Sequence, residues 1–369
     1  MDCALFSRTT SSSALNCSTI TAENAKPPLR LGFQNWRARD SVPRSRRRLV
    51  LVASDRNSGN QCEFSGLTAP LEPITQPGRL LSTVFQNDRE YFPIAVEKQL
   101  KQLACDRDEA VARMNLSLGS DEACLHRRIA DLREMDCQAG VEDVMYMLIL
   151  YKFSQIKVHL VPRLAKCIYN GRLEIWPSRD WQLESIHSSE VLGMVKDHLA
   201  TVIGWSPDSG VTDNWAPTKV RRLHLSKVYA KSILYGYFLK SVSLRHHLER
   251  TFLEDYSLSS KRPLCPSGPG SGLQMSLVQE AKPETTLKSY VMRRFDRETV
   301  QIYGKPKSKV AINLMERHTN ALFGVVDRDD VISTSLASLK RIVLEAVAFG
   351  SFLWEIEEYT NTTYNHEAY

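Results

Sequence analysis

The sequence predicts an all-α, mostly helical protein that follows a disordered N-terminal segment. Three observations support this prediction. The first 53 residues differ in composition from the rest, apolar residues recur at helical spacing from Ser82 onward, and two similar helical stretches occupy the C-terminal half. With 369 residues, 43% of them apolar, the chain can bury a substantial core. We therefore expect a multi-helix domain that contains an internal duplication of a helix–loop–helix unit.

The N-terminal segment, residues 1–53, is rich in serine and arginine and poor in acids. It holds nine bases and three acids and ends in a basic cluster at residues 44–48. This composition is typical of an organelle transit peptide, and the serine run favours a chloroplast transit peptide over a mitochondrial one. A secretory signal would need an apolar core of about 7–15 residues, which this segment lacks. The alternative interpretation is a disordered basic tail that binds nucleic acid.

Removal of this segment changes the charge of the protein. The whole chain carries 48 bases and 42 acids, whereas residues 54–369 carry 39 of each. A neutral body offers no broad basic surface, so we expect no nucleic-acid partner. The longest unbroken apolar run, residues 144–151, is far shorter than the ~20 residues that cross a bilayer, so no transmembrane span is predicted.

A flexible lead-in is predicted over residues 54–80, followed by an N-terminal helical region over residues 81–185. Pro93 suits the first turn of a helix, and Ser120 can cap a second helix. A third helix over about 141–158 is apolar nearly all round, which predicts a central position. The apolar stripes of the first two helices are Val96, Leu100, Leu103 and Ala104, and Leu125, Ile129 and Leu132.

Residues 173–181 read Leu-Glu-Ile-Trp-Pro-Ser-Arg-Asp-Trp and do not form a helical stripe. We expect a short extended or loop segment after the turn at Asn170-Gly171. Aromatic and arginine side chains dominate interface hot spots, so the segment is a candidate partner or ligand surface. The alternative is that it caps the core, with Arg179 and Asp180 pairing at its rim. Its candidate residues are Trp176, Arg179, Asp180 and Trp181.

The two similar stretches are predicted as helical repeats over residues 186–256 and 287–360. When Gly204 is set opposite Gly324, the apolar positions of the preceding helices coincide, and both helices end at glycine. The match resumes with Gly236 opposite Gly350. Because glycine inside a helix costs about 1 kcal/mol, these two positions suggest a close helix–helix approach. Chance similarity between amphipathic helices is the alternative. Residues 257–286, rich in proline and glycine, are predicted as a linker.

The alignment places His198 opposite His318, each at the edge of an apolar helix face. Two such histidines can share a metal or ligand near a pseudo-twofold axis, or can be separate core-edge imidazoles. No Cys, Asp or Glu stands at ligand spacing, so neither a metal nor another cofactor is expected. The run at residues 267–272 resembles a phosphate loop but lacks its Lys-Ser/Thr, which favours a linker. His246-His247 is interpreted as a surface pair.

The eight cysteines show no C-x-x-C spacing. Free thiols packed as small hydrophobes are expected, and a redox disulfide is the alternative.

Three stretches carry a family resemblance. They are residues 160–187, which contain Leu173-Glu-Ile-Trp-Pro-Ser-Arg-Asp-Trp181, then Leu287-Lys-Ser-Tyr-Val-Met292, and residues 338–354, which end in Ala348-Phe-Gly-Ser-Phe-Leu-Trp354. Together they resemble a plant plastid family of unknown function that includes the chloroplastic UV-B-induced protein. The resemblance covers roughly residues 80–360. It implies a chloroplast location and stress-responsive expression, and it transfers no catalytic residue.

These observations favour a non-enzymatic helical protein of the chloroplast stroma that acts in regulation or stress response through protein partners. No catalytic residue is predicted. One alternative is an enzyme or small-ligand binder whose site lies between the repeats, in a pocket lined by His198, His318, Tyr235 and Phe349. Another is peripheral attachment to the thylakoid, which requires an exposed apolar face on a long helix.

Overall fold

The computed structural model describes residues 69–206, 215–259, 286–325 and 330–365. These ranges contain eleven helices, and 74% of the interpretable residues are helical, which confirms the predicted fold class. The predicted transit peptide, most of the lead-in and most of the linker lie outside the described residues, and so do four of the eight cysteines, Cys3, Cys17, Cys62 and Cys265.

Helix α1 (Gln76–Asn87) begins six residues before the first predicted helical residue, Ser82. Pro77 stands in its first turn, and the hydroxyl of Thr75 accepts the backbone N–H of Gly78. The start of α1 is also held from another helix, because the carboxylate of Asp143 accepts the backbone N–H groups of Ile74 (2.8 Å) and Thr75 (2.7 Å). The local sequence could not predict this earlier start, because the carboxylate that holds it lies far away in the chain.

Helix α2 (Phe92–Leu116) buries its predicted stripe, whereas α3 (Ala123–Gln155) corrects two predictions. The second and third predicted helices are one continuous helix. Its C-terminal half, including residues 144–147, is buried at the centre as expected. Its N-terminal half leaves Leu125, Ile129 and Leu132 exposed, so the predicted stripe does not face the core. We call residues 105–135 the α2–α3 arm.

A short helix and a hairpin follow: α4 (Leu164–Cys167), β1 (Ile168–Tyr169), β2 (Arg172–Leu173) and α5 (Asp180–Glu184). The predicted turn at Asn170-Gly171 connects β1 to β2, with φ values of 50° and 73°. A positive φ suits asparagine and glycine better than other residues.

The two predicted repeats share one order of elements. The first unit consists of α6 (Ser189–Ile203), β3 (Pro217–Arg221) and α7 (Arg222–Ser259). Helices α8 (Leu287–Arg294) and α9 (Arg297–Tyr303) precede the second unit, which consists of α10 (Lys309–Phe323), β4 (Val331–Ser335) and α11 (Leu336–Asn365). The predicted helix–loop–helix unit is therefore a helix–strand–helix unit, because a strand lies between the two helices of each unit. The boundaries proposed for the repeats and linker remain predictions.

The strands of the two units pair with each other in a four-stranded sheet of order β1-β2-β4-β3. β3 and β4 are antiparallel, with Lys219 opposite Ser333. Serine hydroxyls cap both shorter helices, since Ser188 accepts the N–H of Val191 and Ser308 accepts the N–H of Ala311. Both helices then end at a glycine of positive φ, as predicted.

The long helices α7 and α11 cross at the two predicted glycines. A Cβ atom on Gly236 would lie 2.0 Å from the carbonyl oxygen of Val347, and one on Gly350 would lie 1.9 Å from that of Ile233. The contacts are reciprocal, because pairing Gly236 with Gly350 also pairs Ile233 with Val347. The close approach predicted from these glycines is confirmed. Helix α11 also packs against α2, α3, α5 and α6, which places it at the centre of the fold.

Candidate functional site

The tryptophan segment, residues 174–181, is fixed to the start of α11. The backbone N–H of Ile175 donates to the hydroxyl of Ser338 at 3.1 Å, and Ser335 donates to the carboxylate of Glu174 at 3.2 Å. β2 immediately before the segment pairs with β4. The exposed side chains of this segment are therefore carried by a rigid backbone.

Three exposed tryptophans lie on or beside this segment, and we call them together the tryptophan face. Trp176, Trp181 and Trp215 are 47%, 76% and 43% exposed. The rings of Trp176 and Trp215 lie 6.1 Å apart, centroid to centroid, although the residues are far apart in sequence. Large aromatic side chains are usually well buried, so this concentration of exposed indole surface is unusual for a single chain.

Asp180 has a structural role beside this face. Lys340 of α11 contacts the carboxylates of Asp180 (3.2 Å) and Glu184 (3.0 Å), and its ammonium lies 4.5 Å from the ring centre of Trp205. The ion pair expected at the rim of the segment therefore joins Asp180 to Lys340, not to Arg179. Arg179 is exposed and adopts a left-handed φ of 52°.

The surroundings of the tryptophan face are basic. β3 is an edge strand that begins two residues after Trp215, and it exposes Lys219 and Arg221. Arg179 adds a third exposed cation. The neighbouring carboxylates of Asp180 and Glu184 are already paired with Lys340. This face can attract negative charge at close range even though the predicted mature chain is neutral.

His198 lies half-buried on α6. Its Nε2 atom is 3.0 Å from the hydroxyl of Ser232, and its ring stacks on Tyr235 with 4.3 Å between centroids. Burial lowers the pKa of His198 to about 4. The imidazole is therefore neutral at physiological pH.

His318 occupies the equivalent place on α10 and is fully buried. Its ring stacks on Phe349 with centroids 4.3 Å apart, and Nε2 lies 2.9 Å from the hydroxyl of Tyr229. Burial lowers the pKa of His318 to about 3. The Tyr229 hydroxyl also reaches Glu345 at 3.4 Å, which extends the contact into a buried polar chain.

Glu345 and Arg341 complete this chain inside α11. Their side chains are almost fully buried and form an ion pair at 2.8 Å. The carboxylate of Glu345 also accepts the backbone N–H of Val161 at 2.9 Å, and Arg341 donates to the carbonyl of His159 at 2.9 Å. Burial raises the pKa of Glu345, and Arg341 opposes that shift. Glu345 thus has several partners, whereas Arg341 has the ion pair and one carbonyl, and its buried Nε atom has no hydrogen-bond partner among the described residues.

The structure does not bring the two histidines together around a pocket. They bond to different residues of α7, and no direct contact joins the two rings in the described part of the chain. The four cavities lined by residues of α1, α3, α6 and α10 do not include His198, His318, Tyr235 or Phe349 in their walls. Within those same residues, no group of three His, Cys, Asp or Glu is placed to hold a metal ion. The histidines are separate core imidazoles.

Sequence reasoning missed several residues that organise this region. Trp215 and Lys340 are remote in sequence from the tryptophan segment. Arg341 and Glu345 gave a usable signal, because two charges four residues apart interrupt an otherwise apolar helix. The histidine pair His246-His247 was also interpreted too simply, since His246 is buried and His247 is exposed.

The cysteines divide between the two interpretations. Cys137 is a buried thiol outside any disulfide, as expected, whereas Cys105 and Cys124 form no disulfide but are exposed. Cys167 is buried and disulfide-bonded, so the expectation of a free thiol is wrong for this residue, and a redox role of the bond stays a prediction.

Comparisons with known proteins agree with the resemblance in the sequence. Residues 124–252 match the family model described as a protein of unknown function, DUF760. The chloroplastic UV-B-induced protein of Arabidopsis thaliana is 34% identical over 362 residues, which cover 88% of this chain and 84% of the relative. No solved structure matches this chain.

Proposed function

Because the chain belongs to the plant plastid family of unknown function that includes the chloroplastic UV-B-induced protein, we propose that it is a non-enzymatic binding protein of the chloroplast stroma. It acts in regulation or stress response by docking a protein partner on the tryptophan face. The composition of residues 1–53 and the chloroplastic relative support this location.

The observation that carries this proposal is the exposure of Trp176 and Trp181 on a segment that is held to β4 and α11, with the exposed ring of Trp215 beside that of Trp176. Tryptophan is among the residues that contribute most to interface affinity, because its ring buries a large area at a low cost in side-chain entropy. The tethers of the segment to β4 and α11 fix the backbone before binding. A preorganised surface loses less conformational freedom when its partner docks.

The charges beside the face indicate the chemistry of the partner. Arg179 lies between Trp176 and Trp181 in the chain, and the strand that follows Trp215 exposes two more cations, Lys219 and Arg221. An acidic protein segment with apolar side chains would match both the rings and the cations. We therefore expect a partner that places carboxylates near β3 and buries an apolar side chain against the tryptophans.

The packed interior weighs against a ligand site between the two units. His318 and Phe349 have no exposed surface, and the α7–α11 crossing leaves no room even for a Cβ atom at its glycines. The histidines therefore support the core of a binding protein better than the walls of a pocket.

Crosslinking affinity purification from chloroplasts tests the proposal when wild type and variants are compared quantitatively. The double variant Trp176→Ala/Trp181→Ala should lose a discrete set of partners, and Lys219→Glu/Arg221→Glu should weaken capture of the same set. The control Met292→Ala/Ile302→Ala removes equally exposed apolar side chains elsewhere and should keep that set. An unchanged partner set in the tryptophan variant would exclude the tryptophan face.

Peripheral membrane attachment is a second candidate, and one observation favours it. The α2–α3 arm exposes Leu125, Ile129, Leu132 and Met135, which recur along one side of α3. No helix in the described ranges is long and apolar enough to cross a membrane.

Cosedimentation with vesicles of phosphatidylcholine and phosphatidylglycerol tests this candidate. Binding that is lost in Leu125→Ser/Leu132→Ser but kept in the tryptophan variant would support it. The absence of binding by the wild-type protein would remove it.

A further inference from the structure

A cavity of about 250 Å³ lies where α10 begins beside the last turns of α11. Lys309 and Val310 line it from α10, Thr360 and Tyr364 from α11, and Val141 and Met145 from α3. It is separate from the tryptophan face and from both histidines. Its walls combine backbone donors, cations and buried apolar side chains.

The N-terminus of α10 supplies the donors. Ser308 caps this helix of 15 residues, and its hydroxyl accepts the N–H of Ala311 at 3.1 Å. The N–H groups of Lys309 and Val310 precede that bond and have no acceptor within the helix. They carry the positive end of the helix dipole, and Lys309 adds a full charge beside them.

Thr360 is an independent indication of a ligand. Its side chain is 3% exposed and lines the cavity, and its hydroxyl has no hydrogen-bond partner among the described residues. A buried hydroxyl without a partner is unfavourable and uncommon in native proteins. A ligand oxygen in the cavity can provide the missing hydrogen bond.

The remaining walls define what kind of ligand fits. Arg107 lies 4.3 Å from the ring centre of Tyr364, where it is held by Asp108 at 2.8 Å. Val141 and Met145 are buried and form an apolar wall. One carboxylate, Glu134, also lines the cavity, and it accepts the side-chain amide of Gln138 at 3.0 Å.

The first unit has an equivalent cavity of about 340 Å³ beside the N-terminus of α6. The same alignment that pairs the glycines sets Ser188 against Ser308 and His246 against Thr360. One difference matters for an anion. α6 has Glu190 in its first turn, whereas the first turn of α10 contains no acid. At α10 the nearby carboxylate comes from another helix, because Glu357 of α11 accepts the backbone N–H of Ser308. The donors left for a ligand are therefore the N–H groups of Lys309 and Val310.

We propose that the cavity at α10 binds a small organic carboxylate. The carboxylate group lies at the N–H groups of Lys309 and Val310, near the Lys309 ammonium, and the hydrocarbon part packs against Val141 and Met145. The Thr360 hydroxyl donates to a ligand oxygen. The volume suits a compact acid rather than a nucleotide or a long acyl chain.

Saturation-transfer NMR and calorimetry with benzoate test this site in the full chain, with benzamide and inorganic phosphate as comparators. Benzoate should bind more tightly than either, because benzamide lacks the charge and phosphate lacks the apolar part. Lys309→Gln and Thr360→Val should each weaken benzoate binding by about tenfold, the effect of losing one charge-assisted or buried hydrogen bond. The control Lys231→Gln removes an exposed lysine of α7 and should bind as wild type does.

Thr360→Val keeps the shape of the side chain and removes an unpaired hydroxyl, so its melting temperature should not fall. A folded Thr360→Val or Lys309→Gln protein that binds benzoate unchanged would overturn the site. So would the absence of benzoate binding to wild type, or equal binding of benzoate and phosphate.

Discussion

The first and second units have the same order of elements and face each other across one crossing, yet their long helices have different environments. In α11, Arg341 and Glu345 are almost fully buried and paired. The positions of α7 that align with them carry Lys227 and Lys231, and both are exposed. Helix α11 packs against α2, α3, α5 and α6 as well as α7, whereas α7 has one face in solvent.

The difference shows that burial, and not backbone geometry, decides what a charged residue does at a given position. A lysine on the outer face of α7 keeps its hydration. A charge at the same place on α11 needs a permanent partner, because desolvation of an isolated ion is very costly. The same contrast separates His198, which is half-buried, from fully buried His318.

The largest effect is expected at the crossing that the two units share. Gly236→Ala and Gly350→Ala should each destabilise the protein by about 4 kcal/mol, above the usual range of about 1–3 kcal/mol for overpacking. The reason is that the new Cβ atom meets backbone, which cannot move aside as a side chain can. Urea unfolding measures the change.

Gly193→Ala is the matched control, since an added Cβ atom there meets nothing within 4 Å. This substitution should stabilise by up to about 1 kcal/mol through helix propensity. A loss of stability at Gly193 equal to that at Gly236 would contradict the close-approach explanation.

Arg341→Met should cost about 3 kcal/mol, because it leaves Glu345 buried without its cation. The equivalent change in the first unit, Lys227→Met, should alter the free energy of unfolding by less than about 0.5 kcal/mol. Chemical denaturation of both variants at pH 7 measures the contrast. Equal effects at the two positions would show that the helices are not distinguished by burial.

The histidines predict a dependence of stability on pH. Their pKa values are lowered from 6.5 to about 4 for His198 and about 3 for His318, so the unfolded state binds a proton that the folded state does not. The stability they contribute is complete above pH 6.5 and is lost as the pH falls toward those folded values. Between pH 7 and pH 5, protonation of each histidine in the unfolded state should lower the free energy of unfolding by about 2 kcal/mol.

His198→Gln and His318→Gln isolate these contributions. Each variant should show a smaller loss of unfolding free energy between pH 7 and pH 5 than wild type does. A wild-type slope that persists in both variants would assign the pH dependence to other groups.

The smallest effect is expected at the tryptophan face, whose segment 174–181 is anchored by β4 and α11 of the second unit. Lys340 contacts Asp180 and Trp205, and the aligned residue of α7 is Ser226, which has no such reach. Trp181→Ala should change stability by less than about 0.5 kcal/mol, because the ring is mostly in solvent. Trp205→Ala should cost about 3 kcal/mol, since that ring is buried. Thermal unfolding of the two variants measures this difference. A loss of stability in Trp181→Ala as large as that in Trp205→Ala would show that Trp181 packs on the core and is not part of an exposed surface.

Several features of the fold could be predicted because their causes are local. Ser188, Ser308, Gly204 and Gly324 mark the ends of α6 and α10 through caps that involve only the neighbouring turn. The strands were missed because each is five residues long and leads directly into a helix, so neither shows a period of its own. The exposure of Leu125 could not be predicted either, since an apolar stripe does not reveal whether another element covers it.

The candidate surface was predicted only in part. Trp176, Arg179 and Trp181 were identified as candidates because their residue types suit an interface, and the structure leaves all three exposed. Trp215, Lys219 and Lys340 come from other elements and meet the segment only through the sheet and α11. Their contribution depends on chain topology, which no local pattern encodes.

By itself, the sequence determined where α6 and α10 end, that Gly236 and Gly350 lie at a close crossing, and which family the chain belongs to. Caps, helical periodicity and the absence of a side chain act over a few residues and can be read directly. Tertiary structure alone decided that α11 is central, that Arg341 and Glu345 form a buried pair, and that the tryptophans remain in solvent. Burial depends on what packs against a face, and those partners lie far away in the chain.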